Sequence, residues 1–148
     1  MNTEGRAVCA SCGAINRLPA DRAAADAKCG SCGQPLFSGK PADVSGAIFE
    51  RQIAKSTVPV VIDVWAPWCG PCRAMAPEFE KAAAALEPQA RFIKLNSDVE
   101  QAIAGRLGIR GIPTMLLYRD GKEVARVSGA MSEAQIGGWV NQQLKASA

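Results

Sequence analysis

At residues 60–77 the chain reads VVIDVWAPWCGPCRAMAP, an apolar run that leads into two cysteines two residues apart. The run from Val58 to Trp65 predicts a buried strand, and the pattern from Cys72 to Leu86 predicts a helix. Cys69 therefore falls near a helix N-terminus, where unpaired N–H groups and the helix macrodipole favour a thiolate. This places Cys69 as the nucleophile and Cys72 as the thiol that resolves a mixed disulfide.

The composition is that of an ordinary soluble globular protein. The 148 residues are 48% hydrophobic and 21% charged, which leaves room for one domain and a small appendage. The net charge of +3 includes no run of Lys and Arg that would indicate nucleic acid or a membrane surface as a partner. We expect no signal peptide and no membrane span, and hence a cytoplasmic location. The chain has no histidine, which excludes Ser-His-Asp and Cys-His catalysis.

The other four cysteines form two further CxxC pairs near the N-terminus. These pairs are Cys9 with Cys12 and Cys29 with Cys32. Between them only Ile15 and Leu18 are large aliphatic residues, so apolar burial alone cannot hold this segment. The C-x2-C-x16-C-x2-C spacing matches one tetrahedral structural zinc ion. Two structural disulfides, or four unrelated reduced thiols, are the alternatives.

The chain divides into a four-cysteine module, residues 1–38, and a second domain, residues 39–148. Short polar residues with Gly and Pro suggest a linker over 37–42. The second domain is predicted to run helix, strand, helix, strand, helix, strand, strand, helix, which gives an α/β fold with a mixed central sheet covered on both faces. The elements besides those named above are Val44 to Lys55, Arg91 to Asn96, Glu100 to Leu107, Thr114 to Tyr118, Glu123 to Ser128 and Ser132 to Leu144.

The second domain resembles a thioredoxin, with VVIDVWAPWCGPCRAMAP at 60–77 and GIRGIPT at 108–114 as its most specific stretches. With its N-terminal CxxC pairs the chain is similar to the zinc-bearing thioredoxin-2 subgroup. The family's first strand would fall near Lys40 to Val44, where the sequence has only a weak strand pattern. The resemblance implies a thioredoxin fold joined to a small zinc-ribbon-like module.

Asp63 interrupts the apolar run, and a carboxylate inside a covered strand is costly to ionise. Desolvation would raise its pKa, so it could exchange a proton with a nearby thiol near neutral pH. The resemblance implies that Asp63 is the buried acid that assists Cys72, and that Lys94 is the lysine that modulates it. An exposed sheet edge for Asp63 and a merely solvated position for Lys94 are the alternatives.

Pro113 stands where a strand should begin, and the resemblance implies a cis peptide bond that faces the active cysteines. Such a turn would leave the Ile112 backbone free to pair with an extended substrate segment. Trp68 adjoins the nucleophile in a loop and suits an apolar lip for substrate docking. The expected substrate-binding residues are Trp68, Gly70, Pro71, Ile112, Pro113, Gly129 and Ala130.

The leading hypothesis is an enzyme, a general protein-disulfide reductase that acts on disulfide-containing client proteins. By analogy with the family, a flavin-dependent thioredoxin reductase restores the dithiol, and no organic cofactor, nucleic acid or membrane is involved. A monomer is expected. The alternative is a zinc-dependent, redox-regulated interaction module or chaperone, whose supporting feature is the separate four-cysteine module.

Overall fold

A mixed five-stranded sheet forms the centre of the computed structural model, which describes residues 5–148. The strand order is β3-β5-β4-β6-β7, with β3 and β4 parallel to β5, β6 antiparallel to β4, and β7 antiparallel to β6. The elements are β1 Gly5–Val8, β2 Ile15–Leu18, β3 Ala42–Asp43, α1 Gly46–Lys55, β4 Val60–Trp65, α2 Gly70–Leu86, β5 Arg91–Asn96, α3 Gln101–Arg106, β6 Thr114–Arg119, β7 Lys122–Ser128 and α4 Glu133–Ala146.

The order of elements predicted for the second domain is confirmed from α1 to α4. Local signals set their ends: Ser45 caps α1 through a hydrogen bond from the Ile48 N–H, and Ser132 and Gln135 form a capping box at the start of α4. The strand for which the sequence has only a weak pattern near 40–44 is present as the two-residue β3, which pairs with β5.

Helices cover both faces of the sheet, as predicted. On one face α2 and α4 pack through Met75, Phe79 and Ile136 against β4, β5 and β6. On the other face α1 contributes Phe49, which is fully buried against apolar side chains of the same strands. Because odd-numbered residues of β4 face α2, Asp63 lies on the side of the sheet that carries the helix of the two active cysteines.

The N-terminal module contains more structure than the sequence predicts. β1 and β2 pair as an antiparallel hairpin, and Cys9, Cys29 and Leu36 belong to a small buried cluster. Phe37, which the sequence places at the start of a linker, is only 7% exposed and joins the same cluster. The linker interpretation is therefore wrong at Phe37, because this aromatic ring is buried rather than solvated.

The hairpin docks on the end of α1 and on the segment after it. The Arg6 N–H donates to Thr57 Oγ1 at 2.7 Å, and the Thr57 N–H donates to the Arg6 carbonyl at 3.0 Å. The buried Gln52 side chain donates to the Val8 carbonyl at 2.8 Å. These bonds tie the four-cysteine module to the larger domain.

Within residues 5–148 the longest helices are too short or too polar to cross a lipid bilayer.

Candidate redox site and metal centre

Cys69 and Cys72 form a disulfide at the N-terminus of α2, so the structure is that of the oxidised pair. Cys69 is the N-cap residue, and its Sγ accepts a hydrogen bond from the Cys72 N–H at 3.2 Å. Gly70 and Pro71 complete the first turn, where proline removes no intrahelical hydrogen bond. Once the pair is reduced, the same N–H groups and the positive end of the helix stabilise a thiolate at Cys69.

The two active cysteines are almost equally buried. Cys69 is 4% exposed and Cys72 is 2% exposed, within a small cluster that includes Ala66.

Asp63 lies in β4 with no exposed surface, and neither carboxylate oxygen has a hydrogen-bond partner among the residues that the structure describes. Burial raises its pKa from 3.8 to about 7, while the positive charge of Lys94 acts to lower it and the negative charge of Asp43 acts to raise it. A carboxyl group with this pKa can hold or release a proton at physiological pH. The exposed-edge alternative for Asp63 is thereby excluded, because β4 is paired on both sides.

Lys94 stands beside Asp63 in the register of β4 and β5, and Asp43 stands beside Lys94 in the register of β3 and β5. The Lys94 ammonium lies 4.4 Å from the centre of the Trp65 ring, and the Trp65 indole N–H donates to Asp43 Oδ1 at 3.3 Å. Asp43 is not among the site residues predicted from the sequence. Asp43 lies in one row with Lys94 and Asp63 because β3 pairs with β5, and the sequence has only a weak strand pattern at β3.

The Ile112–Pro113 peptide bond is cis, as expected, and the Ile112 carbonyl lies 3.8 Å from Cys69 Sγ. The Pro113 carbonyl accepts a hydrogen bond from the Gly129 N–H at 2.9 Å, and Gly129 has a φ of 104°, which favours glycine. This bond sets Gly129 and the exposed Ala130 beside the cis-proline turn.

A cleft of about 450 Å³ opens beside Cys69. Trp68 is 68% exposed at the rim of the cleft, and its indole N–H donates a hydrogen bond to Asp98 Oδ1 at 3.1 Å. Of the expected substrate-binding residues, the cleft brings together Trp68, Gly70, Pro71 and Ile112. It does not include Pro113, Gly129 or Ala130. It adds five residues that the sequence prediction does not include: Ser97, Ala104, Ile109, Arg110 and Gly111. Ile109 and Arg110 lie inside the GIRGIPT stretch and could have been found there.

The other four cysteines converge in the N-terminal module. The sulfur atoms of Cys9, Cys12, Cys29 and Cys32 all lie within 4.8 Å of one another, and none is in a disulfide. Two of the sulfur pairs are 3.7 Å and 3.6 Å apart. A tetrahedral ion with metal–sulfur bonds of about 2.3 Å requires sulfurs about 3.8 Å apart, so this donor set fits one metal ion.

Asn16 supports this cluster, although no sequence motif marks it. Its side-chain amide donates to Cys29 Sγ at 3.5 Å and accepts from the Gly30 N–H at 2.9 Å. The backbone near Cys32 and the Asn16 amide lower the pKa of Cys29 to about 6. Burial and the adjoining cysteine sulfurs instead raise the pKa values of Cys12 and Cys32, so the Asn16 contact favours a thiolate at Cys29 in particular.

A disulfide at a helix N-terminus, a cis-proline turn next to it and a buried acid on the same side of the sheet define a thiol–disulfide oxidoreductase of the thioredoxin fold. The family model described as Thioredoxin matches residues 40–142, and the model described as Thioredoxin 2, N-terminal, matches residues 8–34. The chain belongs to the thioredoxin family and carries the N-terminal zinc-ribbon domain of thioredoxin 2.

Curated and solved relatives agree. Thioredoxin C-3 of Corynebacterium nephridii is 40% identical over 138 residues, which cover 93% of this chain and 94% of the relative. Thioredoxin 1 of Synechococcus elongatus is 37% identical over 103 residues, which cover 70% of this chain and 96% of the relative. The crystal structure of chloroplastic thioredoxin z superposes with a TM-score of 0.66 at 30% identity, over 72% of this chain and 96% of that one. The chain is thus a protein-disulfide reductase that uses a Cys69–Cys72 dithiol–disulfide cycle.

Proposed function

We propose that Cys69 attacks, Cys72 resolves, and Asp63 receives the proton of Cys72. The Cys69 thiolate attacks one sulfur of a client disulfide, forms a mixed disulfide and releases the first client thiolate. The Cys72 thiol gives its proton to ionised Asp63, and its thiolate attacks Cys69 Sγ. This step closes the Cys69–Cys72 disulfide and releases the second client thiolate, so two electrons pass to the client.

The observation that carries this assignment of roles is the position of Cys69 as N-cap of α2. Asp63 has the raised pKa that proton exchange with a thiol requires. Lys94 modulates Asp63, because its positive charge is the main influence that opposes burial.

Client docking is assigned to the surface around the cleft. Trp68 and Pro71 form its apolar rim, and Ile112 offers backbone groups to an extended client segment. Gly70, Pro113, Gly129 and Ala130 complete the proposed client-binding surface, with the Gly129–Pro113 bond holding its far side.

We also propose that the partners are disulfide-containing proteins and a thioredoxin reductase, and that the chain acts in the cytoplasm as a monomer. The four free thiols suit a reducing compartment. The exposed large apolar side chains, Ile15, Trp68, Val99 and Val124, are scattered along the chain, which favours a monomer.

The coupled reduction of insulin tests the proposed partners. With a thioredoxin reductase supplying electrons, the chain should reduce insulin over many turnovers, whereas a variant with both Cys69→Ser and Cys72→Ser should give only the background rate. A matched double variant at the other pair, Cys29→Ser and Cys32→Ser, should keep turnover wherever it remains folded. If the reductase cannot reduce the native chain while dithiothreitol can, the proposed electron donor is wrong.

For the metal centre we propose one zinc ion held by Cys9, Cys12, Cys29 and Cys32, with no organic cofactor. An all-thiolate tetrahedral set is typical of structural zinc, which here would hold the small module of residues 1–38 together. The thioredoxin domain then comprises residues 39–148, and the docking of β1 on α1 favours an accessory role for the module rather than an independent one.

The purified chain is expected to contain one zinc per chain, and a Co²⁺-substituted chain should show the thiolate charge-transfer bands of a tetrahedral site. Cys32→Ser should weaken metal binding because it removes one of four ligands, whereas Cys69→Ser should leave binding unchanged. Thiol counting in the unfolded chain distinguishes the alternatives. Two structural disulfides would hide four thiols and would contradict the zinc proposal.

A further inference from the structure

Arg91, the first residue of β5, is a buried cation that the disulfide chemistry does not use. It is 4% exposed, and its Nε has no hydrogen-bond partner within residues 5–148. Its guanidinium lies 4.6 Å from the centre of the Phe37 ring, and Nη2 reaches the Val8 carbonyl at a long 3.4 Å. A guanidinium remains protonated in proteins, so its burial is costly unless negative charge lies close by.

The buried positive charge of Arg91 is not balanced by a direct ion pair with a carboxylate. Among the described residues no carboxylate oxygen forms an ion pair with Arg91. Glu87 is near, but its two oxygens accept from the backbone N–H groups of Gly39 and Phe92, each at 3.0 Å. Burial lowers the pKa of Arg91, and the nearby charges of Glu87 and Cys9 oppose that effect.

The four-cysteine cluster begins at the residue after the carbonyl that Arg91 contacts. Val8 precedes Cys9, and both are buried. Each cysteine ligand binds as a thiolate, so four ligands and one divalent ion leave two negative charges in excess. This excess lies on the module side of Arg91, where the described chain provides no carboxylate partner.

We propose that Arg91 is the buried counter-charge of the metal–tetrathiolate centre and couples metal binding in the module to the start of β5 in the central sheet. Arg91 acts as a positioning residue, since it contacts the chain beside a ligand and not the ion. The inference rests on the metal site proposed above. Because such coupling is reciprocal, the bound metal stabilises buried Arg91 as much as Arg91 stabilises the bound metal.

Three variants separate charge from packing. Arg91→Met keeps an apolar stem and removes the charge, and Arg91→Lys keeps the charge. Gln52→Met is the matched control: it removes the shorter 2.8 Å bond to the same Val8 carbonyl and leaves Arg91 in place. Zinc affinity is measured by competition with a chromophoric chelator. Loss of a group that supports metal ligands typically costs about 10–100-fold in affinity. We expect a loss of that size for Arg91→Met and smaller losses for Arg91→Lys and Gln52→Met.

Thermal unfolding with and without zinc tests this coupling, because the loss of a purely structural residue would lower the stability equally in both conditions. The stabilisation gained from zinc should be smaller in Arg91→Met than in the native chain, because the bound metal no longer compensates a buried cation. Equal zinc-dependent gains in the two chains would overturn the proposal. If Arg91→Met does not fold, Arg91→Lys decides, and a tenfold loss of zinc affinity in folded Arg91→Lys would also overturn it. A native chain that binds no zinc or cobalt would instead refute the metal site itself.

Discussion

Replacing Cys72 with serine should convert the enzyme from a catalyst into a trap for its clients. Cys69 remains the N-cap of α2, and its Sγ still accepts a hydrogen bond from the N–H of residue 72. The first attack is therefore preserved. A serine hydroxyl is far less acidic and less nucleophilic towards sulfur than a thiol, so the mixed disulfide is not resolved. Turnover should fall to the background rate while about one client per chain is captured covalently.

The measurement is non-reducing electrophoresis with peptide mapping of each adduct, because the chain has four other cysteines. The adduct should map to Cys69. Cys69→Ser is the matched control: Cys72 lies within α2 rather than at its N-cap, so its thiol lacks the N-cap stabilisation of a thiolate and this variant should capture no client. Equal capture by both variants, or multiple turnovers by Cys72→Ser, would show that the roles of the two thiols are assigned wrongly.

The sequence predicts the second domain almost completely, because its signals are local. The apolar run of β4 and the helical pattern of α2 each depend on adjacent residues. Asp63 is also found from sequence alone, since a carboxylate inside an apolar run needs no partner to be noticed.

What the sequence misses depends on long-range packing. Phe37 looks like part of a linker in the sequence, because the guanidinium that lies over its ring belongs to Arg91, more than fifty residues later. β1 and β2 have too few large apolar residues to be predicted as strands, and they form where the hairpin docks on Thr57. Asp43 acquires its electrostatic role only through the pairing of β3 with β5.

Asp63→Asn should remove a pH dependence of stability that the native chain carries at neutral pH. Burial raises the pKa of Asp63 from 3.8 to about 7, so the folded state holds a proton that the unfolded state has released. Stability falls with rising pH wherever the folded state binds more protons. The destabilisation therefore develops from about pH 4 to about pH 7 and is fully present above that, where this shift corresponds to about 4 kcal/mol.

Asparagine has nearly the same shape as aspartate and does not ionise, so its own cost of burial is constant with pH. The difference in unfolding free energy between Asp63→Asn and the native chain should thus grow by about 4 kcal/mol in favour of the variant between pH 4 and pH 8, as measured by denaturant titration. Asp120→Asn, at an exposed turn, is the matched control and should follow the native profile. Parallel profiles for Asp63→Asn and the native chain would mean that Asp63 does not change protonation over this range, and the proton transfer to Asp63 proposed for the resolving step would then have to be abandoned.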